Sequence, residues 1–140
     1  MTTNEAWSTV RTGTFGERVV ALAGLLLALL LLRLPFRYTV RAVRWARIVG
    51  RRPVSRAQGE VLVLAVRHAG RWWPGRVACM ETSLGAVLAA ALLGQRLAWC
   101  LGVRFAPPPV EYHAWAALPD VGPIGEYTAA GWHHHTALTI

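Results

Sequence analysis

The strongest potential nucleophiles in this chain are its two cysteines, Cys79 and Cys100, and they sit in different kinds of sequence. After Cys79, Leu84, Val87, Leu88, Ala91 and Leu92 recur at helical spacing through Met80 to Leu93, with Gly94 at the stop, so Cys79 stands at the start of a helix. There the positive end of the helix dipole and the unpaired backbone N–H groups favour thiolate over thiol. Such a thiolate needs an imidazole to hold its proton and pass it to the leaving group. His113, 34 residues further on, lies in a segment of strand character and can supply one. A third group then orients the ring. Strand alternation puts Glu111, His113 and Trp115 on one face, and the acid can come from Glu126 on the following strand or from Asp120, the sole Asp, in the turn between. A Cys, His and acid assembled this way transfer acyl groups through a thioester. Cys100, amid Trp99, Leu101 and Val103, reads as a packing thiol, and His68 reads as a helix-end residue. Consecutive His133, His134 and His135 cannot all face one ion on a regular element, and we read them as part of a flexible tail.

The elements that must position these groups are legible as helices first and then a small antiparallel sheet. Met1 to Gly16 reads as a loose leader. Val19 to Leu32 is a fourteen-residue uncharged run between Arg18 and Arg33, closed by Pro35. At 1.5 Å per residue it is about 21 Å long, short of the roughly 30 Å needed to span a bilayer, so a buried helix is favoured over an interfacial one. Glu17 and the lack of a small-residue cleavage site argue against a signal peptide. From Tyr38 to Arg52, Arg residues at 37, 41, 44, 47 and 51 fall on one face of an amphipathic basic helix. That face is either solvated or a patch for an acidic peptide, a partner protein or anionic lipid. Ser55 caps a third helix, Arg56 to about His68, and Ala69 to Arg76 form a turn around Trp72 and Trp73. Leu97 to Phe105, Glu111 to Leu118 and a short run at Ile124 are strands, joined by Pro107-Pro108-Pro109 and by Pro119 to Gly122.

Composition narrows the function classes. With 140 residues the chain can close one core and cannot be a large multidomain enzyme. At 54% apolar and 16% charged it folds, with part of its surface greasy. Two cysteines make neither a disulfide scaffold nor a four-ligand zinc site, and they suit a reducing cytoplasm. All fifteen basic residues are Arg; ten of them precede residue 57, against only Glu5 and Glu17. Nucleic acid fits poorly, since zinc-finger spacing, RNP-like strands and aromatics interleaved with the charges are missing. We therefore divide the chain into a lead-in, 1–52, and a catalytic core, 53–140.

The order of Cys on a helix, His on a strand and acid on the next strand is that of papain-like and transglutaminase-like α+β folds. The stretches Arg67-His68-Ala69-Gly70, Cys79-Met80-Glu81-Thr82-Ser83-Leu84, Trp99-Cys100-Leu101-Gly102-Val103-Arg104, His113-Ala114-Trp115 and Gly122-Pro123-Ile124-Gly125-Glu126 carry a resemblance over roughly residues 50–127. The chain resembles the transglutaminase-like leader peptidases of lasso-peptide biosynthesis, relatives of the microcin J25 processing protease. The resemblance implies a cysteine protease that cuts the leader from a ribosomally made precursor peptide and needs neither metal nor ATP. A separate recognition protein would grip the leader, and an ATP-dependent cyclase would close the macrolactam on the freed amine. Cys79 then matches the nucleophile, His113 the base and Glu126, ahead of Asp120, the acid. The oxyanion hole would use the Cys79 N–H and a donor from the Trp72 to Ala78 turn. Trp72, Trp73 and Trp115 are candidate substrate contacts, Trp115 having the stronger claim as a shield for the imidazole. Two positions depart from the family pattern: Thr82 stands where Arg is common, and Ala117 where an acid often follows His-Ala-Trp. A non-catalytic membrane-surface scaffold and an acyltransferase using the same triad are the alternative readings.

Overall fold

A computed structural model describes residues 14–74, 78–105, 111–118, 122–124 and 133–140. Among the described residues, four helices precede a four-stranded antiparallel sheet, a mixed α+β architecture. Helix α1, Phe15–Leu31, starts earlier than the apolar run alone indicates because Thr14 caps it. The Thr14 hydroxyl accepts from the Glu17 N–H at 3.3 Å while the Glu17 carboxylate accepts from the Thr14 N–H at 3.1 Å, a reciprocal pair that satisfies two end donors. Helix α2 is Phe36–Val49, with Pro35 at its cap. Ser55 opens α3, Arg56–Arg71, by accepting the Gln58 N–H at 3.2 Å. Helix α4, Cys79–Leu92, is the centre of the molecule: Ser83 through Ala90 are all buried, so it is enclosed around its whole circumference and, apart from Ser83, apolar there. It ends at Gly94, whose φ of +71° is the left-handed turn that glycine adopts without strain.

A two-residue parallel pairing of β1, Arg52–Pro53, with β2, Gln95–Arg96, ties the α2–α3 link to the end of α4. The main sheet contains β3, Ala98–Phe105, β4, Glu111–Leu118, β5, Gly122–Ile124, and β6, His133–Thr139, in the order β5-β4-β3-β6. The last strand corrects the expectation of a flexible tail: the His133 to His135 segment pairs with Val103 to Phe105 of β3. A run of identical residues shows no alternation, which hides a strand from a pattern reading. A register shift between Leu101 and Gly102 bulges β6 at Ala137.

Helix α1 is a structural member of the core. Ala21, Gly24, Leu25 and Ala28 are buried, while Val19, Leu22, Leu26, Leu27 and Leu30 of the same helix remain exposed, so the apolar run is buried on one face only. Gly24 lies directly against α4. A Cβ at this position would collide with the Gly85 carbonyl and sit 2.9 Å from the Ala89 nitrogen, both backbone atoms that no rotamer can move. Gly24→Ala is therefore expected to cost about 1–3 kcal/mol or more, whereas Leu26→Ala on the exposed face should cost under about 1 kcal/mol. Urea midpoints of the two variants check this; equal losses would mean that α1 does not pack on α4 as described.

Candidate active site

The first turn of α4 is fastened from several directions. Glu81 accepts the Ala78 N–H at 2.9 Å. Thr82 donates its hydroxyl to the Ala78 carbonyl at 3.1 Å and the Cys79 carbonyl at 3.3 Å. Ser83 donates to the Cys79 carbonyl at 2.6 Å, and its oxygen in turn accepts the buried Trp99 indole N–H at 2.9 Å. The chain from Trp99 through Ser83 to the Cys79 carbonyl couples the backbone of the candidate nucleophile to β3. Sequence reasoning gave Ser83 no role. Its one signal was a lone hydroxyl four residues after Cys79, on a face otherwise filled by Leu84, Val87 and Leu88.

Cys79 is half-buried as the first residue of α4, and His113 is half-buried on β4. Both line one cleft of about 310 Å³, together with Met80, with Leu101 and Val103 of β3, and with Ala114 of β4. Opposite His113 in the ladder is Gly102, which has no side chain to crowd the imidazole. The Trp115 ring stacks on His113 with centroids 5.9 Å apart and planes 21° apart. At 1% exposure Trp115 is buried with Cys100 and Ala117 and does not line the cleft.

The faces of the sheet are set by Trp99, which reaches α4 through Ser83 and pairs with Ala116. Ala114, Ala116 and Leu118 consequently face the helices, while His113, Trp115 and Ala117 lie on the other face. Cys79, on α4, thus stands on one side of the sheet while the side chain of His113 projects from the other, although both residues line the cleft. Trp72 is 81% exposed just after α3, and Trp73 is half-buried; neither lines this cleft. Asp120 and Glu126 lie outside the described residues. Ala117 is buried with Cys100 and Trp115 in a small apolar cluster of its own.

Cys100 is a thiol of the opposite kind. Burial pushes its pKa up, and a contact with Thr139, Sγ to Oγ1 at 3.7 Å, opposes that shift in part. In the folded protein Cys100 should resist iodoacetamide at pH 7.5 and react once the chain is unfolded. Because the folded value is raised, the linked stability is fully present below the ordinary thiol range, about 8.5, and is lost as pH rises through the folded value. Urea midpoints that fall above pH 8.5 in the wild type and less in Cys100→Ala would bear this out; identical pH dependence would contradict it.

A cysteine at a helix start and a histidine lining the same cleft are the residue types of a nucleophilic acyl-transfer site. A family model described as the transglutaminase-like superfamily matches residues 21–138. That span takes in α1 and α2 as well as the Cys79 and His113 motifs, in keeping with the packing of α1 on α4. No curated protein and no solved structure matches the chain.

Proposed function

The chain belongs to the transglutaminase-like superfamily, whose members are cysteine-based proteases and acyltransferases, and on that basis we propose that it is a cysteine peptidase removing the leader from a lasso-peptide precursor. The observation that carries the chemistry is the cleft shared by Cys79 and His113. In this reading the Cys79 thiolate adds to the scissile carbonyl carbon. The C–N bond then breaks as the His113 imidazolium gives its proton to the departing amine, leaving a thioester on Cys79. Water, deprotonated by the neutral imidazole, hydrolyses the thioester and restores the pair. Glu126, ahead of Asp120, orients the imidazole. The Cys79 N–H serves the oxyanion, and the second donor is not the Ala78 N–H, which Glu81 already occupies. The partners of this reaction are the precursor, a separate leader-recognition protein and the ATP-dependent macrolactam cyclase that uses the freed amine. Cleavage of precursor in the presence of recognition protein, by wild type and by Cys79→Ala, tests the reading. Transfer of the acyl group to an added amine in place of water would make the same site an acyltransferase.

A second role rests on the exposed face of α1 and α2. Phe15, Val19, Leu22, Leu26 and Leu30 form one open apolar stripe, and Trp45 and Ile48 stand 70% and 77% exposed among Arg41, Arg44 and Arg47. Among the described residues no helix is long and apolar enough to cross a membrane. An apolar stripe beside a cationic helix suits the surface of an anionic bilayer. We propose that this cytoplasmic enzyme rests there, which also accommodates a scaffolding role. Liposomes containing phosphatidylserine should float the protein, and Trp45→Ala/Ile48→Ala should reduce the floated fraction at least about threefold, the two being the most exposed large apolar side chains of α2. Equal flotation of the variant would contradict this contact.

A further inference from the structure

The cleft beside Cys79 spans β3, which lies between β4 and β6. Leu101 and Val103 of β3 form its floor, Tyr112 and Ala114 of β4 one border, and Ala137, the extra residue of the β6 bulge, the other, with Met80 of α4 completing the wall next to Cys79. Met80 and Leu101 also pack against the main core, which holds them in place and keeps their remaining apolar surface turned to the cleft. Trp72, Trp73 and Trp115, the aromatic residues that the sequence offers as substrate contacts, do not line it, and Tyr112 does. Tyr112 continues the helix-facing side of β4 past Ala114, opposite Val103, and is 92% exposed, so its ring stands at the rim. At about 310 Å³ the cleft is at the small end of the roughly 300–1,000 Å³ of small-molecule sites, a size for a single large side chain of a peptide.

We propose that this cleft is the subsite for a bulky apolar side chain of the acyl donor, next to the carbonyl that Cys79 attacks, and that Tyr112 is a specificity-determining residue whose ring forms its outer wall. An apolar side chain laid on Leu101 and Val103 removes its own surface and theirs from water, whereas a charged or amide side chain would give up its hydration against aliphatic groups that offer no hydrogen bond in return. The Tyr112 ring, with only two side-chain torsions to fix, closes on the occupant at little cost in freedom while its hydroxyl stays in water. The meaning for substrate choice rests on Cys79 being the nucleophile. Selection of apolar groups beside the sulfur does not, and the two can be tested apart.

N-benzyl iodoacetamide and iodoacetamide alkylate the same sulfur, forming a C–S bond and expelling iodide, and differ in the apolar ring that the first carries. The rate ratio of the benzyl reagent to iodoacetamide at Cys79, read by peptide mass spectrometry, is compared with the ratio for the same cysteine in the urea-unfolded chain. The subsite predicts a folded-state ratio at least about fivefold higher. Tyr112→Ser removes the outer wall and Ala137→Asp sets a carboxylate in the cleft; both change exposed positions and should lower the ratio at least about threefold. Tyr112→Phe keeps the ring and should keep the ratio. Leu92→Ala removes an exposed apolar side chain about 20 Å along α4 from Cys79 and should leave the ratio raised. A wild-type ratio equal to that of the unfolded chain, its survival in both Tyr112→Ser and Ala137→Asp, or an equal fall in Leu92→Ala would overturn the subsite, and a fall in Tyr112→Phe as large as in Tyr112→Ser would overturn the part given to the ring. Failure of Cys79 as the nucleophile reads differently: precursor cleavage would survive in Cys79→Ala while the alkylation ratio of the wild type stayed high.

Discussion

Cys79→Ala should abolish leader removal, leaving less than about one thousandth of the wild-type rate, because no other group can form the thioester. The structure separates this loss from misfolding. The hydrogen bonds from Thr82 and Ser83 that fasten the start of α4 go to the Cys79 carbonyl, which alanine retains. The variant should keep its urea midpoint to within about 1 kcal/mol while losing turnover. Cys100 cannot substitute: it is buried against Trp115 and Ala117, does not line the cleft, and its thiol is pushed up in pKa by burial. Cleavage by Cys79→Ala at the wild-type rate, measured with precursor and recognition protein present, would remove the peptidase reading.

His113→Ala is expected to lose about 10²- to 10⁴-fold in rate, the usual contribution of a general acid–base group. Two losses combine: the thiolate loses its proton acceptor, and the departing amine loses its proton donor. Substrates that differ in leaving group separate this from mere repacking of Trp115, which stacks on His113. An activated ester expels an alcohol that needs no protonation, so the variant should recover at least about tenfold of its deficit on an ester relative to a peptide. A deficit of the same size on both substrates would point to a structural role for the ring.

Much of this arrangement was legible in the residues. Leu84, Val87 and Leu88 at helical spacing and Gly94 at the stop marked α4, and Ser55 marked the start of α3. The alternation around His113 placed it on the same face as Trp115, and the two rings do stack. What pattern could not show is which face of β4 meets α4. That is decided by a pairing sixteen residues apart in sequence, Trp99 with Ser83, together with the small side chains Ala114 and Ala116 that let the sheet approach. The apolar run of α1 is nearly uniform, so its periodicity carries no direction. Its buried side is chosen by Gly24, where only a hydrogen fits against the Gly85 carbonyl. The roles of Asp120 and Glu126 rest on the motif alone, as both lie outside the described residues.

The pairing of Cys79 with His113 is the step on which the mechanism depends, and it is a demanding one, because Cys79 stands on one side of the sheet while the side chain of His113 projects from the other. The most direct test is the pH dependence of iodoacetamide alkylation at Cys79, mapped against Cys100 in the same sample, in wild type and in His113→Ala. The account predicts that Cys79 in the wild type reacts fast at pH values where an ordinary thiol, with a pKa of about 8.5, is still protonated, and that His113→Ala shifts the curve toward that ordinary range. Superimposable curves in the two proteins, both matching the unfolded chain, would contradict it.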